Sequence, residues 1–414
     1  MWRVPGRRRR WAGWRCLLRP ACLLLLALLA LPERSPAQDD GETSEGVARR
    51  AIGWIERNPG RILDALASQG VHPKAGSFAY GSGVSLGVSY WQPKVAGSPF
   101  GVFGSWATSL GGDQLQQLRL GKIPHASGRI PSRGQVLDGL APFDQEDGGL
   151  FYFWEVRNRD LDDVGLFTAD QGRFGYDYSD LSSEAVIGYR FGDHWAASVR
   201  LGTLDTRVSL PQVLVDEEAA ASLPAVGQPL DYFTISSELA RDSRDRPRNP
   251  HRGSFLSLAA FRFQDREQGR YSFSRLAIDG RRYLPLGSER HVLALHLFGS
   301  WDQARAGGQV PFHMQAAMGG SSSLRGFQDY RFRGLQVVGF TGEYRFDLAP
   351  AIELAAFYDA GHVSGGLAEL CAHGFASSYG VGVRLKTTDS VALRLDVARG
   401  REGVRAHLKI GLAF

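Results

Sequence analysis

The stretch VRAHLKIGLAF, residues 404–414, alternates without a break. Val404, Ala406, Leu408, Ile410, Leu412 and Phe414 fall on one side, and Arg405, His407 and Lys409 on the other. A side-chain period of two belongs to a β-strand with one apolar and one polar face. The same period runs through 391–397 and 379–385, and further back through 233–239, 195–203 and 185–191. Many of these segments run about ten residues or longer, the length that crosses a bilayer as a tilted strand. The faces opposite the apolar ones carry Arg, Lys, Asp, Glu and Gly, which suits a polar lumen better than the outside of a soluble sandwich.

The start of the chain says where such strands would be used. Arg3, Arg7 to Arg10, Arg15 and Arg19 precede the apolar run 21–31, then come Pro32 and the small-residue stretch Ser35-Pro36-Ala37. This is the pattern of a secretory signal peptide over residues 1–37, and the apolar run is too short to span as a helix. Those residues hold eight Arg and one Glu, so the formal charge of +5 falls to near −2 once they are removed. The basic balance therefore gives no reason to expect a nucleic-acid partner. Cys16 and Cys22 leave with the signal, and Cys371 alone forms no internal disulfide. Residues 38–75 read as a periplasmic helical segment, because Val47, Ile52, Ile55, Ile62, Leu63 and Leu66 recur at helical spacing.

An exported chain of amphipathic strands, apolar outside and charged inside, implies an all-β fold: a transmembrane antiparallel β-barrel over residues 76–414. Closure satisfies every backbone hydrogen bond without presenting an edge to lipid. Roughly sixteen strands fit, an even number being usual for single-chain bacterial barrels. Phe414 supplies the terminal aromatic residue common in such proteins. The long connections near 125–148, 207–230 and 303–333 are expected to face outward, and the short turns the periplasm.

The third connection holds MGGSSSLRGFQDYRFRG, residues 318–334. Its glycines and serines permit tight folding, and Arg325 between Leu324 and Gly326-Phe327 suggests a loop packed inside something. Period-two parity puts Glu343, Arg345 and Asp347 on the lumen face of one following strand, and Glu353, Phe357 and Asp359 on that of the next. If the loop folds inward, Arg325 can meet Glu343 and Asp359 in charge-assisted hydrogen bonds.

These residues resemble the outer-membrane protein eighty-five superfamily, the bacterial surface antigens or BamA/TamA-like barrels. Gly319-Gly320 followed by Leu324-Arg325-Gly326-Phe327 is similar to the family's loop-six motif. Phe357-x-Asp359-x-Gly361 is similar to the strand motif that receives the loop arginine. Asp242-Ser243-Arg244-Asp245, with Pro250 and Gly253, resembles its turn motif ahead of a middle strand. Gly380-Val381-Gly382-Val383-Arg384 and Phe414 match its closing strands. The resemblance implies sixteen strands, with loop six locked in the lumen by Arg325 on Asp359 and Glu343. It also implies a weak seam between the first and last strands, which in members that insert or export proteins can accept a client strand. Here the seam is expected between 78–91, softened by Gly81, Gly83 and Gly87, and 404–414. About forty residues separate the cleavage site from the first strand, too few for a periplasmic POTRA domain, so a separate periplasmic partner would have to supply one.

Other chemistry is set aside. Gly83-Val84-Ser85-Leu86-Gly87 matches a hydrolase string but lies in continuous strand alternation rather than at a strand-to-helix elbow. The ten histidines show no ligand-like clustering. His407 reads as polar lining, and Ser321 to Ser323 as packing. No catalytic residue, cofactor or metal site is expected. The sequence thus points to a non-enzymatic outer-membrane protein in contact with lipid that assists insertion or translocation of client proteins. The alternative is a diffusion channel or structural barrel with no client.

Overall fold

The computed structural model describes residues 70–76, 85–92, 94–95, 97–124, 149–168, 172–210, 223–246, 249–365, 374–386 and 391–410. The signal-peptide reading, most of the helical segment 38–75 and Phe414 lie outside them. In chain order the strands are β1 (Val71–Gly76), β2 (Ser85–Gln92), β3 (Gly101–Ser109), β4 (Gln114–Lys122), β5 (Gly149–Thr168) and β6 (Gly172–Phe191). Next come β7 (Trp195–Ser209), β8 (Leu230–Asp242), β9 (Gly253–Asp265), β10 (Phe273–Leu286), β11 (Ser288–Ala304) and the short β12 (Ala316–Met318) and β13 (Phe332–Gly334). The last five are β14 (Gln336–Ala349), β15 (Ile352–Ser364), β16 (Ala376–Lys386), β17 (Val391–Gly400) and β18 (Gly403–Ile410).

All but β12 and β13 form one 16-stranded sheet in sequence order, each strand antiparallel to the next. The wall follows from alternation. Along β8, Tyr232, Thr234, Ser236, Glu238 and Ala240 are buried while Phe233, Ile235, Ser237 and Leu239 are exposed. The exposed row is the lipid face, and its apolar side chains make the outer band. At the ends of the sheet, β1 and β18 approach within 8 Å, Cα to Cα, and close the barrel. No hydrogen-bonded ladder joins them among the described residues.

One expectation needs correction here. The first strand is Val71–Gly76, which the sequence placed mainly in a helical segment; it pairs with Ser85–Gln92, so the stretch expected as the first strand contributes the second. Pro73 interrupts any apolar pattern, and it is tolerated because β1 is an edge strand that can spare one N–H. Each antiparallel strand switches rim, so the β8–β9 and β14–β15 turns lie on one rim, read as the periplasmic one, and the loop after β11 on the other. The connection 125–148 lies outside the described residues.

On the other rim β5 and β6, of 20 residues each, outrun the membrane: on the order of 65 Å of strand at about 3.3 Å per residue. Their tip packs over the loop between β11 and β14. Leu161, Val164, Leu166, Tyr176 and Tyr178 make a buried cluster with Phe312, Ala317 and Tyr330. Arg333 Nη2 donates to the Tyr176 hydroxyl at 3.0 Å. The long loop therefore has a roof as well as a floor.

Candidate functional site: a loop arginine in the barrel lumen

The loop between β11 and β14 turns inward at Gly319, whose φ of +125° favours glycine and where a Cβ would lie 2.1 Å from the Gln328 carbonyl oxygen. Gly320, at φ +78°, donates its N–H to the Phe327 carbonyl oxygen at 3.1 Å. Ser323 Oγ accepts from the Gly319 N–H at 2.9 Å, and β12 pairs with β13. Leu324 and Phe327 bury fully beside Met318 and Val337, and the Phe327 ring meets Phe332 edge-on at 5.0 Å. With both apolar neighbours anchored, Arg325 points into the lumen. Gly326 passes so close to the wall that a Cβ there would lie 2.5 Å from Gly400 N and 2.6 Å from Ser378 Cβ.

Arg325 is 2% exposed. Its Nε donates to Asp359 Oδ2 at 2.9 Å and its Nη2 to Asp359 Oδ1 at 2.6 Å, a bidentate fork. Its backbone N–H also donates to Asp359 Oδ2, at 3.2 Å. Nη1 reaches Glu343 Oε2 at 2.9 Å and Asp396 Oδ2 at 3.4 Å, and the guanidinium lies 3.2 Å from the Phe357 ring centroid. Burial works against the charged guanidinium, but the bonds to Asp359 and the charges of Asp359, Glu343 and Asp396 outweigh it and raise its pKa. Thr341 and Ser378 hydroxyls donate to the remaining positions of Asp359 at 3.0 and 3.2 Å.

Glu343 is shared. Arg345 Nε donates to it at 2.9 Å, Arg384 Nη2 lies at 2.7 Å and Arg394 Nη2 at 3.8 Å. Arg384 also binds Glu353 at 2.7 Å, and Arg394 binds Asp396 at 2.5 Å. Sequence parity had set Arg345 on a lumen face without joining it to Arg325, and Arg384, Arg394 and Asp396 lie on the polar faces of the periodic segments 379–385 and 391–397. The joining depends on strand register, which brings β14 to β17 side by side. His407, read as lining, donates from Nε2 to the Arg325 carbonyl oxygen at 2.7 Å. Lys409 Nζ donates to Ser322 Oγ at 2.8 Å, and Arg331 Nε to Glu402 Oε1 at 2.6 Å. The last strand and its preceding turn thus hold loop six directly.

The turn motif sits at the opposite rim. Asp242 takes Arg244 in a fork at 2.8 and 2.6 Å, and Arg244 stacks over Phe255 at 4.9 Å. Asp245 Oδ1 accepts the N–H groups of His251 and Arg252 at 3.0 and 3.2 Å, which curls the turn, and Gly253 opens β9. The carbonyl of Pro250 accepts from Arg345 Nη1 at 3.4 Å. A continuous path therefore runs from the turn through Arg345 and Glu343 to Arg325 and the loop.

The same rim brings together His251, Asp347 and Glu353, with ligand-type atoms within 4.8 Å of one another. Sequence spacing could not show this, since about a hundred residues separate the histidine from the acids. Lys386 already binds Asp347 and Arg384 already binds Glu353, so the trio belongs to the ion-pair network.

Comparison with known proteins agrees with this architecture. The Omp85 superfamily domain matches residues 148–414, leaving β1 to β4 outside the match. Among solved structures, BamA from Haemophilus ducreyi lacking POTRA domains 1–3 superposes with a TM-score of 0.62 at 14% identity, covering 84% of this chain and 70% of that one. CdiB from Escherichia coli gives 0.53 at 12% identity, covering 83% of this chain and 63% of that one, so the chain spans less than two thirds of that protein. At these identities the likeness is one of fold. No curated protein matches the chain. A barrel of sixteen antiparallel strands, and a domain match over most of its length, make this an outer-membrane protein of the Omp85 superfamily.

Proposed function

We propose that this protein assists the insertion or translocation of client proteins at the outer membrane, through the junction of β1 and β18 and under control of loop six. The single observation that carries this reading is that junction. Its strands come within 8 Å, yet no ladder joins them among the described residues, whereas every other neighbouring pair is hydrogen-bonded. Such a seam offers unpaired backbone groups to an incoming strand. Arg325 is the lock: it holds the loop on Asp359 and Glu343, while His407 ties the loop to the seam strand. The Asp242–Gly253 turn is proposed to relay its position to a periplasmic partner. The activity needs no catalytic residue, cofactor or metal.

A diffusion channel is the competing reading. The loop, held on the β14–β18 wall and packed under β5 and β6, weighs against it, because a solute path past the loop would have to displace a segment pinned by several charge-assisted bonds. Depletion of the protein in cells should lower the surface level of a defined set of proteins. In planar bilayers the purified barrel should give low, fluctuating conductance. A large, steady pore together with unchanged surface proteins would favour the channel.

A further inference from the structure

A second built feature lies on the outside of the wall. The lipid-facing row of β8 ends in Leu239 and Arg241, and that of β10 runs Leu276, Ile278, Gly280, Arg282. Both arginines stand toward the short-turn rim, the periplasmic one. Between them on β9, Ser254 is the register partner of Arg282, and its Oγ accepts from Arg241 Nη1 at 3.1 Å. Neighbouring strands are about 4.8 Å apart, so the two guanidinium-bearing positions are on the order of 10 Å apart. Arg241 also stacks on Trp195 at 5.9 Å, which fixes its direction along the wall. Arg282 is exposed and, among the described residues, has no hydrogen-bond or ion-pair partner. In the outward rows of β8 to β10 the one acid is Asp231, at the opposite end of β8.

Beside this pair, toward mid-membrane, the outer surface is concave. A groove of about 790 Å³ is lined by Ala197, Ser237, Leu239, Leu258, Ala260 and Ile278, small side chains flanked by large apolar ones. Cations on a lipid-facing surface are costly unless they reach a polar headgroup, and a guanidinium matches phosphate oxygens by its forked geometry. Groove and charge lie in the order that a lipid presents: headgroup at the rim, chain toward the centre.

We propose that this face is a phospholipid-binding site. Arg241 and Arg282 receive the phosphate of an anionic glycerophospholipid from the periplasmic leaflet, and one acyl chain fills the groove between Leu239 and Leu258.

The test is native mass spectrometry of the full-length barrel in detergent, titrated with dioleoylphosphatidylglycerol or with dioleoylphosphatidylcholine. The expected result is one retained phosphatidylglycerol per barrel, bound at least tenfold more tightly than phosphatidylcholine. R241Q/R282Q should weaken it about tenfold, and so should A260W, which fills the groove. Heat-shifted gel mobility would confirm that each variant is folded, and R282Q alone serves if the others are not, since that side chain makes no hydrogen bond or ion pair among the described residues. Equal retention of the two lipids by the native protein would overturn the proposal. So would undiminished phosphatidylglycerol binding by the folded arginine variants.

Discussion

His407 Nε2 donates a hydrogen bond to the carbonyl oxygen of Arg325 at 2.7 Å, linking β18 to the residue that docks on the lumen wall. The imidazole meets the loop's backbone while the loop's side chain meets Asp359, so the seam strand and the lumen wall grip the same residue from two directions. Loss of either grip should be felt at the other.

Arg325→Ala leaves Asp359, Glu343 and Asp396 without their shared cation. Breaking a buried pair from one side typically costs about 3–5 kcal/mol. The expected outcome is a folded barrel with unchanged strand content by circular dichroism, a lower temperature for loss of the fast-migrating gel form, and noisier single-channel traces. Quiet traces identical to the native protein would count against a docked loop.

Gly326→Ala should mimic the arginine variant although it removes no charge. The added Cβ would meet backbone of Gly400 at 2.5 Å, an atom that cannot swing aside. Limited proteolysis is expected to cut between Gly319 and Arg331 in this variant and to spare the native loop.

His407→Ala removes one donor from a buried carbonyl, an effect of about 1–3 kcal/mol. If the bond couples the loop to the seam, this variant should speed hydrogen–deuterium exchange in β18 and in 319–331 together. His407→Gln keeps a donor and should restore most of the protection. Faster exchange confined to β18 would show that the two elements move independently.

Asp329, in the same loop, lines a polar chamber of about 490 Å³ with Arg173, Arg405 and His407. Burial raises its pKa, and His407, Lys409 and Arg405 offset this only in part. A carboxyl whose folded pKa lies above its unfolded one contributes no penalty at pH below both values. The penalty grows as pH rises through the interval between them and is complete above the folded value. Asp329→Asn should therefore raise thermal resistance at pH 8 and lose that advantage as the pH is brought down toward the ordinary carboxylate range. An advantage that does not change with pH would point to packing instead.

The wall was legible because a buried-versus-lipid alternation is local: each strand such as β8 or β18 carries its own period. The acids facing Arg325 were legible for the same reason, since parity alone sets Glu343 and Asp359 on lumen faces. What lies beyond parity was not. Arg384 and Arg394 reach Glu343 from β16 and β17, two and three strands away from β14, and His407 meets Arg325 across 82 positions of sequence. β1 escaped because Pro73 and six residues are too little pattern to read.

The cluster around Arg325 also has a consequence for ions. Four guanidinium groups, of Arg325, Arg345, Arg384 and Arg394, stand against four carboxylates, of Glu343, Glu353, Asp359 and Asp396. At a distance such a set is electrically silent. Whatever preference for anions or cations the hollow shows must then be written in charges outside this cluster, which itself acts as a neutral gasket.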